Sequence, residues 1–153
     1  MDLSLTERAV RLALVAHEGQ KDWGGFPFIL HPMRVGMTLF NQYDERHACI
    51  GILHDSIEDS EGRVTQASIA TELGAEIAFH VAVLTRVKGQ EYGEYLDQVA
   101  QHKLATRVKL ADLADNLAPF RLMCGDYKQQ QALKRHGQAL HELRDIARGH
   151  GWI

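Results

Sequence analysis

The sequence predicts an all-α fold, a single globular helical bundle of about seven or eight helices. Apolar residues recur at three-to-four-residue spacing over most of the chain, which is typical of amphipathic helices. No stretch alternates convincingly between apolar and polar residues, as a half-buried strand would. No internal repeat or low-complexity linker interrupts the pattern. The 153 residues suit one compact domain, which we expect to span residues 1–153.

Composition narrows the class of protein. Hydrophobic residues make up 45% and charged residues 24%, an ordinary globular balance. The formal net charge of -3 argues against nucleic acid as a main partner. The charged N-terminus resembles neither a signal peptide nor a membrane span, so no membrane partner is expected. Cys49 and Cys124 lie in apolar helical contexts and form no CxxC, which favours a reduced, cytoplasmic protein. The oligomeric state is left open.

The first third of the chain is predicted to hold three helices. Residues 4–18 form an amphipathic helix, and the following segment GQKDWGGFPFILHP is an apolar loop rich in Gly, Pro and aromatic residues. Pro32 suits the first turn of a second helix. Asp44 caps a third, ERHACIGILHD, whose apolar middle predicts a central, buried helix. The buried face of the second helix is expected to consist of Met33, Gly36, Met37 and Phe40.

Five further helices are predicted in the rest of the chain. Thr65 caps a short helix that Gly74 ends, and AEIAFHVAVLT follows as the next. The segments YGEYLDQVAQH and ATRVKLADLADNLAPF are two more, the second ended or kinked by Pro119. A long polar helix over roughly 128–148 closes the chain. Its buried stripe is expected to consist of Leu133, Leu140, Leu143 and Ala147.

Ionisable residues concentrate in ILHDSIEDS, where the most apolar helix ends. His54 and Asp55 point about 100° apart on a helix, yet both can reach one ion between them. Histidine nitrogen with carboxylate oxygen suits Mn, Fe or Zn better than Mg or Ca. Glu58 and Asp59 follow one turn later, and a carboxylate beside metal-bound water can orient that water or take its proton. The alternative is an ordinary helix end followed by a solvated acidic loop.

Two other segments offer groups that can join this site. His31 precedes Pro32, so we expect it to be extended at a helix start, where a capping histidine is the alternative explanation. Asp112 borders the buried stripe of VKLADLADN, with Asn116 one turn on and Asp115 as a competing carboxylate. Two imidazoles and two carboxylates from three helices leave positions open for water and a substrate oxygen, as catalytic metal sites do.

The segments AHEGQ, GFPFILHPMRV, GILHDSIED and VKLADLADN resemble the HD-domain metal phosphohydrolases. More specifically, they resemble the hydrolase domain of the RelA/SpoT family and its short single-domain relatives. In that family the motifs read approximately AHxGQ, GxPYIxHPxxVA, LHDxxEDT and KLADRLHN. The similarity is strongest over residues 9–121, and the order of the motifs is kept.

The resemblance implies removal of pyrophosphate from the 3′ position of a guanosine alarmone such as ppGpp. It implies Glu58 and Asp59 as the acidic pair that activates the attacking water, and Asn116 near the nucleotide. It implies Mn²⁺ as the cofactor, with Fe, Co or Zn as alternatives. The implied metal ligands are His31, His54, Asp55 and Asp112.

One loop departs from the family pattern. Relatives carry an Arg-Lys pair after GQ that grips phosphate, whereas KDWGG keeps only Lys21 and places Asp22 and Trp23 where the cations are expected. Charge-assisted contacts contribute roughly 1.5–3 kcal/mol each, so their loss weakens phosphate binding. Where the family motif reads RLHN, this chain reads LADN, so Leu113 and Asp115 replace an arginine and a histidine. The cations that can substitute are Arg107, Lys109 and Arg121.

The remaining histidines and aromatic residues have ordinary explanations. His17 is expected to support the site without ligating the metal. The aromatic cluster of Trp23, Phe26 and Phe28 can stack on a base, although a lid over the core is commoner. Tyr92 and Tyr95 are expected to be half-buried packing residues. The histidines expected on the surface are His47, His80, His102, His141 and His150.

The sequence is compatible with three functions. The first is an HD phosphohydrolase acting on ppGpp, and the second is the same chemistry on another phosphorylated nucleotide. Nucleoside monophosphates and dinucleotide phosphates are the candidates for that second substrate. The third is a non-catalytic regulatory module with a structural metal. Glu58 and Asp59 argue against the module, because a structural site needs no water-activating carboxylates.

Overall fold

The computed structural model describes residues 3–119 and 127–153. Over these ranges the chain forms helices joined by short turns, and no strand longer than the isolated Lys21–Pro27 bridge. The predicted all-α class is confirmed. A one-turn helix, α4, is the element that the sequence did not separate from its neighbour. The helices are α1 Leu5–Ala16, α2 Leu30–Gln42, α3 Glu45–Leu53, α4 Ser56–Asp59, α5 Gln66–Leu73, α6 Ala75–Leu84, α7 Tyr92–Ala100, α8 Lys103–Asn116 and α9 Tyr127–Gly149.

Side-chain caps start the helices where the sequence places them. Ser4 accepts a hydrogen bond from the Glu7 amide at 3.2 Å, and the Glu7 carboxylate accepts from the Ser4 amide at 2.8 Å. This reciprocal pair satisfies two amides that the first turn of α1 leaves without partners. Asp44 caps α3 in the same position, accepting from the His47 amide at 3.0 Å. These caps fix where α1 and α3 begin.

The centre of the bundle is α3, which is buried from His47 to Leu53, as its apolar sequence predicts. It packs closely against α2 because both helices carry a glycine at the crossing. A Cβ on Gly51 would lie 2.5 Å from Leu39 Cδ1, and one on Gly36 would lie 2.4 Å from Ile52 Cγ1. Larger residues there would push the helices apart. The close crossing brings the start of α2 near the end of α3.

The structure corrects two predictions about α2. The helix starts at Leu30, so His31 lies in its first turn and is not extended. Its buried face is Val35, Gly36 and Leu39, whereas Met37 is 63% exposed and Phe40 55% exposed. The apolar residues of α2 form two stripes, and only the side that carries the small Gly36 fits against α3. The stripe with the larger side chains, Met37 and Phe40, therefore faces outward.

The last helix packs along α8 with small side chains. Ala132, Ala139, Leu143 and Ala147 are buried, while Leu133 and Leu140 are half-buried. The predicted stripe was right for Leu143 and Ala147. At the other two positions alanines are buried in place of the predicted leucines, where α9 packs against α8. Within the described ranges, no helix is long and apolar enough to cross a membrane.

Candidate metal centre and substrate cavity

Three helices bring the predicted metal ligands together. His31 lies in the first turn of α2, His54 caps the C-terminus of α3, and Asp55 precedes α4. Asp112 comes from α8. His31, His54 and Asp112 are nearly inaccessible to solvent, whereas the Asp55 side chain is 26% exposed. The cluster therefore has a buried floor and one open side.

The facing atoms of these four residues lie within a small volume. His31 Nε2 is 3.1 Å from Asp112 Oδ1 and 3.8 Å from Asp55 Oδ2. His54 Nε2 is 3.1 Å from Asp55 Oδ2 and 3.5 Å from Asp112 Oδ1. The ligand atoms of His31, His54 and Asp55 all lie within 4.8 Å of one another. These three residues could hold one cation, and Asp112 Oδ1 lies within 3.5 Å of both imidazole nitrogens.

Hydrogen bonds fix which imidazole nitrogen faces the cluster. His31 Nδ1 donates to Asp115 Oδ2 at 2.7 Å, and His54 Nδ1 donates to the Gly51 carbonyl at 2.7 Å. Each ring, when neutral, therefore turns the lone pair of its Nε2 toward carboxylate oxygens. Among the described residues, His54 Nε2 is buried without a hydrogen-bond partner. Nitrogen lone pairs facing carboxylates need a cation between them, and this donor set fits a divalent transition metal.

The pKa shifts of these residues also indicate that the carboxylates of the cluster require positive charge beside them. Burial lowers the pKa of His54, but the carboxylates of Asp55 and Asp112 outweigh burial and raise it well above its ordinary value. The pKa of His31 is also raised, against burial, by hydrogen bonds to Asp112 and Asp115. Burial would raise the pKa of Asp112, yet Lys109 and His54 hold it well below its usual range. Without a metal, protons on the imidazoles balance the carboxylates.

Asp112 is held from both sides by its own helix. Lys109, one turn before it, donates to Oδ2 at 2.8 Å. Asn116, one turn after it, donates to Oδ1 at 2.6 Å. These (i, i+3) and (i, i+4) neighbours share one face of α8, so the three side chains are aimed together at the cluster. Lys109 and Asn116 also line the cavity beside it.

Glu58 and Asp59 stand on the one-turn helix α4 at the open side of the cluster. Glu58 Oε2 accepts a hydrogen bond from the backbone amide of Arg86 at 3.0 Å, which fixes the direction of its carboxylate. Burial and the neighbouring charges of Asp55 and Glu58 raise the pKa of Asp59 to about 6. A carboxyl group that titrates near neutral pH is suited to accept a proton from water.

A cavity of about 330 Å³ opens beside these carboxylates. Its lining combines the acidic cluster with basic and aromatic side chains. The predicted Lys21 lines the cavity, and the structure adds two arginines and a histidine that the sequence did not assign to the site, Arg86, Arg135 and His136. Arg86 follows α6 outside every motif, and Arg135 lies in the polar helix α9, so only the tertiary fold reveals them. Arg121 lies outside the described residues.

Two basic or imidazole side chains are used elsewhere. Arg107, expected as a substitute cation, donates to the Trp152 carbonyl at 3.0 and 2.7 Å and lies over the Tyr43 ring. It ties the end of the chain to the bundle and does not line the cavity. His47, expected on the surface, is 4% exposed and bonds Asp44 at 2.8 Å. It is buried because α3 is apolar on every side.

His17 supports the site, as expected. It is buried, and its Nδ1 lies 2.8 Å from Gln20 Oε1. Its ring packs against Phe28 at 4.9 Å between centroids, and Phe28 packs against His31 at 5.7 Å. Gln20 in turn donates to the Asp59 carbonyl at 2.7 Å. The AHEGQ segment thus supports both His31 and the acidic pair.

The divergent loop KDWGG folds around its own aspartate. Asp22 Oδ1 accepts hydrogen bonds from the Gly24 and Phe26 amides, both at 2.9 Å. The carboxylate is therefore engaged with the loop backbone, although it still lines the cavity. Trp23 is 56% exposed and Phe26 64% exposed, so the expected lid over the core is wrong for these two residues. Phe28 is the member of the cluster that packs inside.

Comparisons with known proteins identify the family and the fold of this chain. A model of the HD-domain family matches residues 9–143, so this chain belongs to the HD-domain family. A solved structure described as a metazoan ortholog of SpoT that hydrolyses ppGpp superposes with a TM-score of 0.75. It is 20% identical, and the match covers all of this chain and 99% of the other. The predicted HD-type helical fold is confirmed.

Curated relatives carry alarmone-related names. The match to the putative GTP diphosphokinase RSH1 of Arabidopsis thaliana is 32% identical over 80% of this chain. A probable guanosine-3′,5′-bis(diphosphate) 3′-pyrophosphohydrolase of Mycoplasma genitalium is 36% identical over 58% of this chain. The matches cover 16% and 12% of those two proteins. The chain therefore spans a small part of the length of these relatives.

Proposed function

We propose that this chain is a divalent-metal-dependent hydrolase of phosphorylated nucleotides, with ppGpp as its leading substrate. The reaction is hydrolysis of the 3′ ester, which releases pyrophosphate. One observation carries the proposal. The donor set of His31, His54 and Asp55, with Asp112 Oδ1 3.1 Å from His31 Nε2, adjoins the Glu58–Asp59 pair in a cavity that basic side chains also line. The names of the Mycoplasma relative and the SpoT-like structure support this choice of substrate.

Mn²⁺ is the metal that we propose, with Fe, Co and Zn as alternatives. Two imidazole nitrogens and two carboxylate oxygens form a mixed donor set of the kind these ions accept, and Mg²⁺ prefers oxygen alone. When bound, such an ion polarises a phosphoryl oxygen and lowers the pKa of its water. His31, His54, Asp55 and Asp112 hold it.

The acidic pair is proposed to activate the water, and the basic residues of the cavity are proposed to bind the substrate. Glu58 and Asp59 orient the attacking water and take its proton. Lys21, Lys109, Asn116 and Arg121 are the residues proposed to contact the substrate, and the cavity adds Arg86 and Arg135. Lys109 is paired with Asp112, so its charge is partly neutralised. Arg135 makes no hydrogen bond or ion pair within the described residues, which leaves its charge available for phosphate.

A second substrate class is favoured by one observation. KDWGG lacks the phosphate-gripping pair and places Trp23, a large exposed aromatic ring, at the cavity instead. A stacking surface with fewer cations fits a nucleotide that carries less charge than ppGpp. Nucleoside monophosphates and dinucleotide phosphates are such compounds. The chemistry at the metal is the same in both proposals.

A substrate panel separates these proposals. Purified protein with Mn²⁺ is given ppGpp, GTP, GMP and a dinucleotide phosphate, and the release of phosphate and pyrophosphate is measured. A kcat/KM for ppGpp at least tenfold above the others supports the alarmone. A preference for another compound supports the second class. Bound metal without turnover of any compound would favour the non-catalytic module.

The remaining expectations stay predictions. We infer one domain over residues 1–153, a small phosphorylated nucleotide as the partner, and a cytoplasmic location. The buried Cys49 thiol fits that location, because burial raises its pKa to about 11 and makes it unreactive. Cys124 lies outside the described residues.

A further inference from the structure

A charged network outside the proposed donor set joins α2 to α8. Asp115 Oδ2 accepts from His31 Nδ1 at 2.7 Å. Arg34 donates to both oxygens of the same carboxylate, from Nε at 2.7 Å and from Nη2 at 2.9 Å. The Asp115 side chain is only 12% exposed. A buried carboxylate with two partners in fixed directions has one orientation.

The spacing of these residues follows from the two helices. His31 and Arg34 are three apart on α2, and Asp112 and Asp115 are three apart on α8. Residues at this spacing share a helix face, so the pair on α2 meets the pair on α8. His31 consequently lies between the two aspartates, with Nε2 toward Asp112 and Nδ1 toward Asp115.

We propose that Asp115, held by Arg34, is a positioning residue that fixes the tautomer and ring orientation of His31 for metal binding. A free imidazole exchanges its proton between two nitrogens and can flip about its ring axis. Asp115 accepts a proton from Nδ1 in only one of these arrangements. That arrangement leaves the Nε2 lone pair pointing into the cluster. Carboxylates that act in this way on other metal-binding histidines contribute about 10- to 100-fold in metal affinity.

This role belongs to a residue that departs from the family pattern. LADN places Asp115 where RLHN has histidine, and a neutral histidine could not accept two hydrogen bonds from Arg34. Arg34 supplies the donors to this carboxylate from α2. The departure next to Asn116 thus gives His31 a carboxylate partner in this chain. The inference rests on the metal site of the proposed function, and it does not depend on the identity of the substrate.

The direct test is the metal affinity of Asp115→Asn, measured by calorimetry with MnCl₂ and no nucleotide present. An amide keeps the size of the side chain but can donate to Nδ1, which moves the His31 proton to Nε2. We expect the dissociation constant to rise about 10- to 100-fold. The matched control is Glu76→Gln, which removes one carboxylate from the exposed Arg46–Glu76 pair and should stay within twofold of the unsubstituted protein.

A spectroscopic readout separates positioning from a purely structural role. In Zn²⁺-loaded protein, ¹⁵N shifts of the His31 ring should report a protonated Nδ1 and a metal-bound Nε2, and Asp115→Asn should lose this signature. If Asp115→Asn does not fold, Arg34→Lys decides the matter. It keeps the charge but not the two-pronged contact, and it should weaken Mn²⁺ binding by about threefold or more.

A folded Asp115→Asn protein with unchanged Mn²⁺ affinity and an unchanged His31 signature would overturn the inference. Unchanged affinity in Arg34→Lys would do so where only that variant folds. The outcome is independent of catalysis. Failure of the unsubstituted protein to hydrolyse any nucleotide would remove the proposed function and leave these binding results standing.

Discussion

Each imidazole of the centre has only one nitrogen available to a cation. His54 gives its Nδ1 proton to a backbone carbonyl and His31 gives its own to Asp115. The sequence indicated both histidines, because each lies beside a helix end in a motif. It could not indicate their tautomers, since these depend on acceptors from Gly51 and from a different helix.

Metal binding is expected to be pH-dependent because protons and metal compete for the same two nitrogens. The carboxylates raise the pKa of His31 and His54 despite their burial. Below those raised pKa values the rings are protonated, so the metal must displace protons and its affinity falls as pH falls. Titration with Mn²⁺ at pH 6, 7 and 8 should show the affinity rising with pH.

The number of displaced protons is measurable by calorimetry in two buffers of different ionisation enthalpy. Protons should be released into the buffer on binding at pH 7. An affinity that is flat from pH 6 to pH 8, with no proton release, would contradict the protonated state of the metal-free centre.

Asp59 sets a second pH dependence, in the rate. Its pKa is raised to about 6, so its carboxylate loses its charge, and its capacity to take a proton, as pH falls through that value. With the metal bound, the added positive charge moves this pKa downward, so the acidic limb of kcat should lie at or below pH 6. Asp59→Asn should lower kcat at least 100-fold. Glu61→Gln, an exposed neighbour in the same acidic segment, should leave kcat unchanged.

Arg135 is the cation whose loss should affect binding most cleanly. It lines the cavity from α9 and lies apart from the metal ligands. A charge-assisted contact contributes roughly 1.5–3 kcal/mol, so Arg135→Ala should raise KM at least about tenfold with kcat nearly unchanged. The control is Arg144→Ala, an exposed arginine on the same helix that does not line the cavity. Equal KM values for the two variants would remove Arg135 from the binding surface.

At the scale of elements, the glycines at the crossing of α2 and α3 set the distance between His31 and His54. The ring centroids of the two histidines are 5.2 Å apart. This distance follows from a contact that no motif records, because Gly36 and Gly51 allow the helices to approach. The sequence predicted α3 as the central helix, and it misassigned the face of α2 because two apolar stripes compete there.

Gly51→Ala tests this crossing. Its added Cβ would lie 2.5 Å from Leu39 Cδ1, so the buried Leu39 side chain or α2 itself must shift. We expect the free energy of unfolding to fall by about 1–3 kcal/mol and the Mn²⁺ affinity to fall with it. Gly93→Ala is the matched control, because its Cβ would meet no atom within 4 Å and alanine favours the helix. Denaturant unfolding of both variants gives the comparison, and equal stabilities would contradict the close-packing account.

At the scale of the whole molecule, local spacing and resemblance were enough to predict that the proposed metal ligands and acidic pair would lie together. The cations of the cavity could not. Arg86 comes from the turn after α6 and Arg135 from α9, and neither belongs to a motif. Arg107 illustrates the opposite error, since it lies near VKLADLADN in sequence but bonds the Trp152 carbonyl. Substrate-facing residues depend on how distant segments meet, which periodicity does not specify.

The central claim is that this cluster performs metal-dependent hydrolysis, and pyrophosphate release from ppGpp by the purified chain tests it most directly. With Mn²⁺ the account predicts turnover that EDTA stops and that fresh Mn²⁺ restores. Asp55→Ala should abolish it, because the exposed edge of the metal centre is lost. Turnover that persists in Asp55→Ala, or that needs no divalent metal, would contradict the account.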